Sequence, residues 1–232
     1  MKTNSNSYTI VYSAIIVIVV AFLLAFVSTS LKDIQDKNVA LDKKKQILYS
    51  LNIRGLDNVE AEKTYKEVIV SDAVIDENAQ IQAQGTQGGE DNGFKLGSTD
   101  AKEGRLALYI CKVKGATKYV IPVYGMGLWG PISGYVAIDE DKNTVYGAYF
   151  NHDSETAGLG AEIKDNEGWQ AKFQGKKLFK AGDNAIALSV NKKVEDPTTQ
   201  VDAVSGATLT SDGVAAMLKE CIGKYAKFLN NK

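Results

Sequence analysis

The sequence contains very little cysteine, histidine or proline. Its 232 residues include two cysteines, one histidine and three prolines. Two cysteines cannot build a disulfide framework or a four-cysteine metal centre, and one histidine excludes a site made of several histidines. An excess of positive charge is also lacking, because 27 lysine and arginine residues are balanced by 28 acidic residues. Since a nucleic-acid binder needs a strongly basic surface, the composition predicts a globular protein that binds neither metal nor nucleic acid.

The apolar residues are concentrated near the N-terminus. Ile10 to Val27 reads IVYSAIIVIVVAFLLAFV and contains no charged side chain. About 18 residues of helix span roughly 27 Å, close to the hydrocarbon thickness of a bilayer. We therefore expect a single-pass membrane anchor. Two alternatives stay open, namely a cleaved signal peptide, for which Ser28 to Ser30 are small enough, and a buried core helix.

The charges beside this span bear on its orientation. Lys32, Lys37 and Lys43 to Lys45 follow the span, whereas Lys2 is the one charged side chain before it. Counted literally, this distribution places the following domain in the cytoplasm. Long domains can translocate against such a count, so charge alone does not decide the side.

The rest of the chain alternates apolar runs with turn residues. The apolar spacing predicts a polar helix over Leu31 to Leu51, which would continue the anchor as a stalk. A short helix is expected at Val59 to Lys66, and glycine-rich Gln84 to Thr99 is expected to be a long loop. Strand patterns bounded by turn residues cover Val68 to Ile75, Leu106 to Val113, Tyr119 to Tyr124, Gly134 to Ile138, Thr144 to Phe150 and Ala185 to Val190.

Two further helices are predicted near the C-terminus. One is short, Trp169 to Phe173, and starts at Asp165. The other is amphipathic, with its apolar face formed by Val214, Leu218, Cys221, Ile222, Tyr225 and Leu229. Cys111 and Cys221 lie in apolar patterns and are interpreted as buried structural thiols. The fold class is therefore α+β: a transmembrane helix within residues 1–30, a stalk at 31–58, and one domain at 59–232 with a mainly antiparallel sheet and a C-terminal amphipathic helix.

The start of the last helix carries a distinctive segment. Asp202 to Ser211 reads DAVSGATLTS. The first N–H groups of a helix lack internal partners and carry partial positive charge, so this junction can hold a phosphate. Gly206 and Ala207 would let the backbone approach a bulky anion, and Ser205, Thr208, Thr210 and Ser211 offer hydroxyl groups. Simple capping of the helix by serine or threonine is the alternative.

The first seven of these residues, D-A-V-S-G-A-T, resemble the flavinylation motif of FMN-binding domain proteins. In that family the last threonine of the motif carries FMN as a phosphoester. The resemblance implies covalent FMN on Thr208, with Ser205, Gly206 and Ala207 beside it. It also implies that Asp202 serves recognition by the flavin transferase that attaches FMN, although an Asx-type turn before the helix would explain this residue too.

Two further segments are similar to NqrC, a subunit of the sodium-pumping NADH:quinone oxidoreductases. They are GMGLWGPISG, Gly125 to Gly134, and NHDSETAGLGAEI, Asn151 to Ile163. Ala157 stands where that family usually has proline, which would fix φ. The resemblance implies isoalloxazine contacts from Leu128 and Trp129, hydrogen bonds from Glu155 and Thr156, and close backbone approach at Gly158, Leu159 and Gly160.

Each of these roles has a structural alternative. Trp129 would be an ordinary core residue, and Glu155 and Thr156 would order a turn. His152 lacks any sequence partner for catalysis or metal binding and is interpreted as a hydrogen-bonded loop residue.

The resemblance implies an electron-transfer subunit of a cell inner membrane complex, with its soluble domain on the periplasmic side. This complex would couple NADH oxidation and quinone reduction, for example of ubiquinone, to sodium export. Expected partners are the other subunits, the flavin transferase and membrane lipid, with no NADH site and no catalysis by this chain alone. The alternatives are a G-type subunit of an Rnf-like ferredoxin:NAD complex, against which Leu128 and Trp129 argue, and a membrane-anchored scaffold without cofactor.

Overall fold

A six-stranded antiparallel sheet is the centre of the C-terminal part of the chain. The computed structural model describes residues 5 to 231. The strands are β1 (Ile69–Ile75), β2 (Ile81–Ala83), β3 (Leu106–Val113), β4 (Ala116–Met126), β5 (Pro131–Asp139), β6 (Val145–His152), β7 (Ser189–Asn191) and β8 (Gln200–Asp202). The sheet pairs its strands in the order β2-β1-β3-β4-β5-β6, and β7 and β8 form a separate parallel pair.

The three helices longer than five residues lie toward the two ends of the chain, and the other helices are short. The helices are α1 (Asn6–Ser50), α2 (Asn58–Val68), α3 (Ser98–Lys102), α4 (Glu162–Asp165), α5 (Glu167–Ala171), α6 (Thr208–Lys224) and α7 (Ala226–Asn230). The predicted α+β class, with a long apolar N-terminal helix, an antiparallel sheet and a C-terminal helix, is confirmed.

The chain divides into two compact units, one up to Lys43 and one from Lys44 onward. The first unit is the greater part of α1, a helix of 45 residues whose most apolar stretch is not buried. Length and composition therefore allow α1 to cross a membrane, and a signal sequence meets the same criteria. The domain boundaries expected at residues 30 and 58 stay predictions.

In the second unit both faces of the sheet are covered. On one face, α6 packs against β4 and β7, and buried Phe150, Trp169 and Phe173 form an aromatic cluster with ring centroids 5.0 to 5.7 Å apart. On the other face, Ile47 and Leu48 from the last turns of α1, Tyr65 of α2, Tyr109 and Cys111 are buried, and the Tyr65 ring contacts that of Phe94 at a centroid distance of 5.8 Å. Helix α2 begins with a capping box between Asp57 and Glu60.

The glycine-rich segment at 84–99 is ordered by a buried carboxylate. Asp72 on β1 accepts hydrogen bonds from the N–H groups of Thr86, Asn92 and Phe94 at 3.2, 2.9 and 3.4 Å. The long loop predicted here is largely present, but it also contains a 3-10 turn at Gly93–Lys95 and the start of α3.

Three predicted elements differ from the structure. Helix α5 is capped by Asn166, whose side chain accepts from the N–H of Trp169, and not by Asp165. The strand predicted at Ala185 to Val190 is wrong for its first four residues, because regular pairing begins only at Ser189. The final helix does not run unbroken to Leu229, since α6 ends at Lys224 and Tyr225 separates it from α7.

The two thiols have different surroundings. Cys111 is fully buried, as predicted. Cys221 is half-buried, and its sulfur both donates to the carbonyl oxygen and accepts from the N–H of Tyr124, at 3.3 Å each. The prediction that Cys221 is buried is therefore wrong in part, while its bonds to the Tyr124 backbone fit a structural thiol.

Candidate functional site

Helix α6 begins without a side-chain cap. Ala207 occupies the N-cap position, and within the described residues no side chain caps the helix there. The N–H of Ser211 makes the first bond of the helix, to the carbonyl oxygen of Ala207 at 2.9 Å. The interpretation that serine or threonine simply caps this helix is therefore wrong. A helix of 17 residues directs its first N–H groups and its dipole toward the surface.

The four hydroxyl groups of the segment fall into two pairs. Thr210 and Ser211 are buried: Thr210 donates to Glu155 at 2.6 Å, and Ser211 accepts from the N–H of Val204 at 3.0 Å. Ser205 and Thr208, in contrast, are exposed. Gly206, between them, has φ of +77°, a conformation that favours glycine, and it turns the chain into the helix.

A cavity of about 240 Å³ lies directly over this helix start. Its walls come from the three segments that the sequence singled out: Leu128, Trp129, Glu155, Thr156, Leu159, Gly160, Gly206, Ala207, Thr208, Leu209 and Thr210. Nine of the eleven residues that the resemblance implies for cofactor binding, Thr208 among them, are thus brought together. The structure places these residues side by side although they span more than 80 positions of the chain.

The rim of the cavity is apolar and open to solvent. Trp129 is 68% exposed, Leu128 48%, Leu159 43% and Leu209 60%. Large apolar side chains rarely cluster at the surface unless they cover a ligand or a partner. The alternative of Trp129 as a core residue is wrong, and Trp169 occupies that structural role instead.

Glu155 connects the walls of the cavity. Its carboxylate accepts from the N–H of Trp129 at 2.8 Å and from the Thr210 hydroxyl at 2.6 Å. Burial by itself would raise the pKa of Glu155, but these bonds, a further one from Gly130 and the nearby His152 lower it overall. The carboxylate is therefore ionised at neutral pH. Both carboxylate oxygens accept hydrogen bonds from other residues of the chain, as expected if Glu155 orders a turn.

Thr156 and His152 order the same turn. The carbonyl oxygen of Thr156 accepts from the N–H groups of Leu159 and Ala161, both at 3.1 Å. His152 is the last residue of β6, and its Nδ1 accepts from the N–H of Glu155 at 3.2 Å. The predicted hydrogen bond of His152 is thus present, at a strand end and not inside a loop.

Comparison with known proteins identifies the family. The FMN-binding domain family matches residues 127–223. The NqrC protein of the Na(+)-translocating NADH-quinone reductase of Haemophilus ducreyi is 33% identical over 95% of this chain and 91% of its own length. The crystal structure of the same protein from Parabacteroides distasonis is 37% identical, with a TM-score of 0.79, and covers 87% of this chain and 98% of that one.

The chain belongs to the NqrC family of the Na(+)-translocating NADH-quinone reductases. The Pseudomonas aeruginosa member is 31% identical over 98% of this chain and 96% of its own length. Shewanella oneidensis NqrC, at 24% identity and a TM-score of 0.66, shares the fold. Membership confirms the resemblance drawn from the motifs, and an FMN-binding domain makes this chain an electron-transfer subunit of that complex.

The remaining predicted residues lie just beyond the first cavity. Gly158, Ser205 and Asp202 line an adjoining cavity of about 560 Å³. The Asp202 carboxylate accepts from Lys172 Nζ at 3.0 and 2.7 Å. It therefore makes an ion pair and not the Asx-type turn considered from the sequence.

Sequence reasoning missed two residues of this candidate site. It named Thr210 only as a hydroxyl of the segment, and it did not name Leu209. The signal for Leu209 was an apolar residue in the first turn of a helix, next to a glycine-rich start. Thr210 had no local signal, because its partner Glu155 is 55 positions away.

The glycines of G-M-G-L-W-G, Gly125 to Gly130, have the spacing of a dinucleotide-binding fingerprint. That fingerprint requires a strand followed by a helix. Here the segment joins the antiparallel strands β4 and β5. Its glycines therefore belong to a hairpin beside the candidate cavity. In residues 5–231 no group of three or more His, Cys, Asp or Glu side chains is placed to hold a metal ion.

The residues present fit FMN. An exposed Thr208 stands at a helix start that lacks a side-chain cap, and such a start favours binding of a phosphate. Apolar Leu128, Trp129 and Leu159 stand at the same cavity, as a flat aromatic ring system requires.

Proposed function

We propose that this chain carries electrons on FMN held through a phosphoester to Thr208. The observation that carries the proposal is the convergence of three distant segments around one exposed threonine. Two of these segments supply apolar walls, and the third supplies a helix start. Membership of the NqrC family supports the same assignment.

The helix start suits the charge of the linkage. A phosphodiester keeps one negative charge near neutral pH. The first N–H groups of α6 can donate to its oxygens, and the helix dipole stabilises the charge further. Thr208 is the first residue of this helix, so a phosphate on its hydroxyl stays within reach of those groups.

Attachment would transfer the flavin phosphate from an activated donor to the Thr208 hydroxyl. The Oγ–H bond of Thr208 and a P–O bond of an activated flavin phosphate donor break, an Oγ–P bond forms, and the proton leaves with the displaced group. FMN, when bound, supplies reversible electron transfer. The tether prevents loss of the cofactor by dilution, and Leu128 and Trp129 shield it from water.

The chain would act within a complex that passes electrons from NADH to a quinone and exports sodium. The names of its relatives support this assignment. Ile10 to Val27 has no ionisable side chain apart from Tyr12, so this segment offers no carboxylate for a sodium path. Sodium would therefore cross through other subunits.

The domain would lie on the periplasmic side of the cell inner membrane, anchored in lipid by α1. The family resemblance supports this orientation, while the lysines that follow the span oppose it. A flavin transferase acting on that side would recognise Asp202 and modify Thr208.

One measurement tests the cofactor linkage. The full chain is expressed in membranes together with a flavin transferase, and its intact mass is determined. An increment of about 438 Da, FMN less one water, is expected for the wild type and absent in Thr208→Ala. An unmodified wild-type chain would support the scaffold alternative and overturn the proposal.

Two further measurements test the complex and the orientation. Co-purification with an NADH-oxidising, sodium-stimulated quinone reductase is expected, whereas co-purification with a ferredoxin-oxidising complex would favour the Rnf-like alternative. A C-terminal reporter that is active only outside the cytoplasm is expected to be active. An inactive reporter would contradict the periplasmic assignment.

A further inference from the structure

Glu155 forms hydrogen bonds with two segments that are far apart in the sequence, one at Trp129 and one at Thr210. It is 8% exposed, and each carboxylate oxygen has a different partner. Oε1 accepts from the N–H of Trp129 in the β4–β5 connection, and Oε2 accepts from the hydroxyl of Thr210 in the first turn of α6. One buried side chain therefore bridges the two sides of the cavity.

These bonds are strong ones. Hydrogen bonds to an ionised carboxylate are shorter and roughly twice as strong as neutral ones. The donor-to-acceptor distances, 2.8 Å from the Trp129 nitrogen and 2.6 Å from the Thr210 oxygen, lie in that short range. Thr210 is itself only 1% exposed, so water does not compete for its hydroxyl.

The neighbouring glycine is explained by the same contact. A Cβ atom on Gly160 would come within 2.7 Å of Thr210 Oγ1 and closer still to Glu155 Oε2. A side chain at this position would push the carboxylate and the hydroxyl apart. The second glycine of G-L-G thus leaves room for the bond between Glu155 and Thr210.

The side chains of Trp129 and Thr208, on the two sides of this bridge, lie at the surface. Core packing therefore does not hold these side chains. The N–H that Glu155 binds is that of Trp129 itself, and Thr210 lies two residues after Thr208 in the same helical turn.

We propose that Glu155 and Thr210 are positioning residues, whose contact fixes the backbone of Trp129 relative to the attachment residue Thr208. The flavin on Thr208 that they would position rests on the proposed function. The bridge between the two segments does not depend on it. Thr210 thus has a different role from Thr208: its buried hydroxyl binds Glu155, whereas the side chain of Thr208 is exposed.

The bridge is tested first in the full chain without flavin. Amide hydrogen exchange is measured at Trp129, with Val136 in the β4–β5 ladder as a reference for global stability. Thr210→Val removes the hydroxyl at nearly constant shape, and Thr210→Ser keeps it. Exchange at Trp129 is expected to be about tenfold faster in Thr210→Val and in Glu155→Ala, with Val136 unchanged.

Thr210→Ser is expected to retain the wild-type exchange rate. Equal exchange at Trp129 in wild type, Thr210→Val and Glu155→Ala would overturn the proposal. Should Glu155→Ala fail to fold, the comparison of Thr210→Val with Thr210→Ser decides alone.

The second test uses the full chain loaded with FMN, its attachment verified by mass. Visible circular dichroism of the flavin reports a fixed orientation beside the protein. We expect the signal to fall at least twofold in Thr210→Val and to return in Thr210→Ser, at equal flavin content. An identical signal in all three would overturn the positioning role. A wild type without flavin would instead overturn the proposed function and leave the exchange result intact.

Discussion

The indole Nε1 of Trp169 donates a hydrogen bond of 2.8 Å to the backbone carbonyl oxygen of Asp202. Trp169 is buried between Phe150 and Phe173, at ring-centroid distances of 5.7 and 5.2 Å. Asp202 is the first residue of D-A-V-S-G-A-T. The hydrophobic core therefore holds directly the strand that leads into the candidate site.

Replacing Trp169 with alanine is expected to lower the free energy of unfolding by about 3–5 kcal/mol, since it empties a core position and removes the bond to Asp202. Trp129→Ala is the matched control. Because Trp129 is exposed, its loss is expected to change stability by no more than about 0.5 kcal/mol. Guanidinium denaturation of the full chain in detergent measures both, and equal losses would contradict the assignment of the two tryptophans.

Variants of the ion pair between Lys172 and Asp202 can distinguish a role of Asp202 in transferase recognition from a role in stability. Both side chains are about half exposed, so breaking the pair is expected to change stability by less than about 1 kcal/mol. Asp202→Asn is expected to slow flavin attachment at least tenfold if the transferase reads the carboxylate. Lys172→Gln breaks the same pair but keeps that carboxylate, and should be modified at least as fast as the wild type. Time courses of intact mass measure the rate of flavin attachment in each variant. Equal slowing in both would show that attachment depends on the ion pair and not on recognition of the carboxylate.

Asp141 in the β5–β6 turn is expected to make stability depend on acidity. Partial burial would raise its pKa, but hydrogen bonds from the Thr144 hydroxyl and from the N–H groups of Asn143 and Thr144, with Lys177 nearby, lower the pKa from 3.8 to about 2. The folded state therefore binds this proton less readily than the unfolded state. The resulting stabilisation is present above pH 4 and is lost as the pH falls from 3.8 toward 2.

Asp141→Asn is expected to lower stability at pH 7 by at most about 1 kcal/mol, since solvent screens this carboxylate. The variant should also lose stability less steeply on acidification. Thr144→Ser keeps the hydroxyl donor and should retain the wild-type slope. Thermal denaturation between pH 2 and pH 7 measures these slopes, and parallel curves for Asp141→Asn and wild type would refute the assignment.

The two thiols are expected to react at different rates. Burial raises the pKa of Cys111 far above its usual value, and burial also raises the pKa of Cys221, which is partly reachable from solvent. In the folded chain at pH 8, Cys221 should react with a thiol reagent at least tenfold faster than Cys111. Single-cysteine variants made with Cys111→Ala and Cys221→Ala give the two rates, and faster labelling of Cys111 would count against its burial.

Local patterns were enough to predict most of the fold. The strand Leu106–Val113 and the strand at Ile69–Ile75 lie where alternation and β-branched residues indicate them. The pattern at Ala185 to Val190 was misleading, because only an isolated bridge between Phe179 and Ile186 precedes the short strand β7. Similar apolar runs give a regular strand only where a neighbouring strand is available for pairing.

The candidate site was predictable where the motif is continuous in sequence. Thr208 and its glycine were indicated by the helix start and the family resemblance. The role of Thr210 was not predictable, because the carboxylate that binds it comes from a segment 55 positions earlier. The exposure of Trp129 could not be predicted either, because a tryptophan between glycines occurs both in cores and at surfaces.

The distance along the chain between Glu155 and Thr210 has a consequence for biosynthesis. During translation the sheet and the Glu155 turn are made first, and α6 follows only after a further stretch of synthesis. Until that helix docks, Glu155 lacks its hydroxyl partner and the cavity lacks one wall. A modifying enzyme that reads the finished cavity would therefore act only on fully synthesised and folded chains.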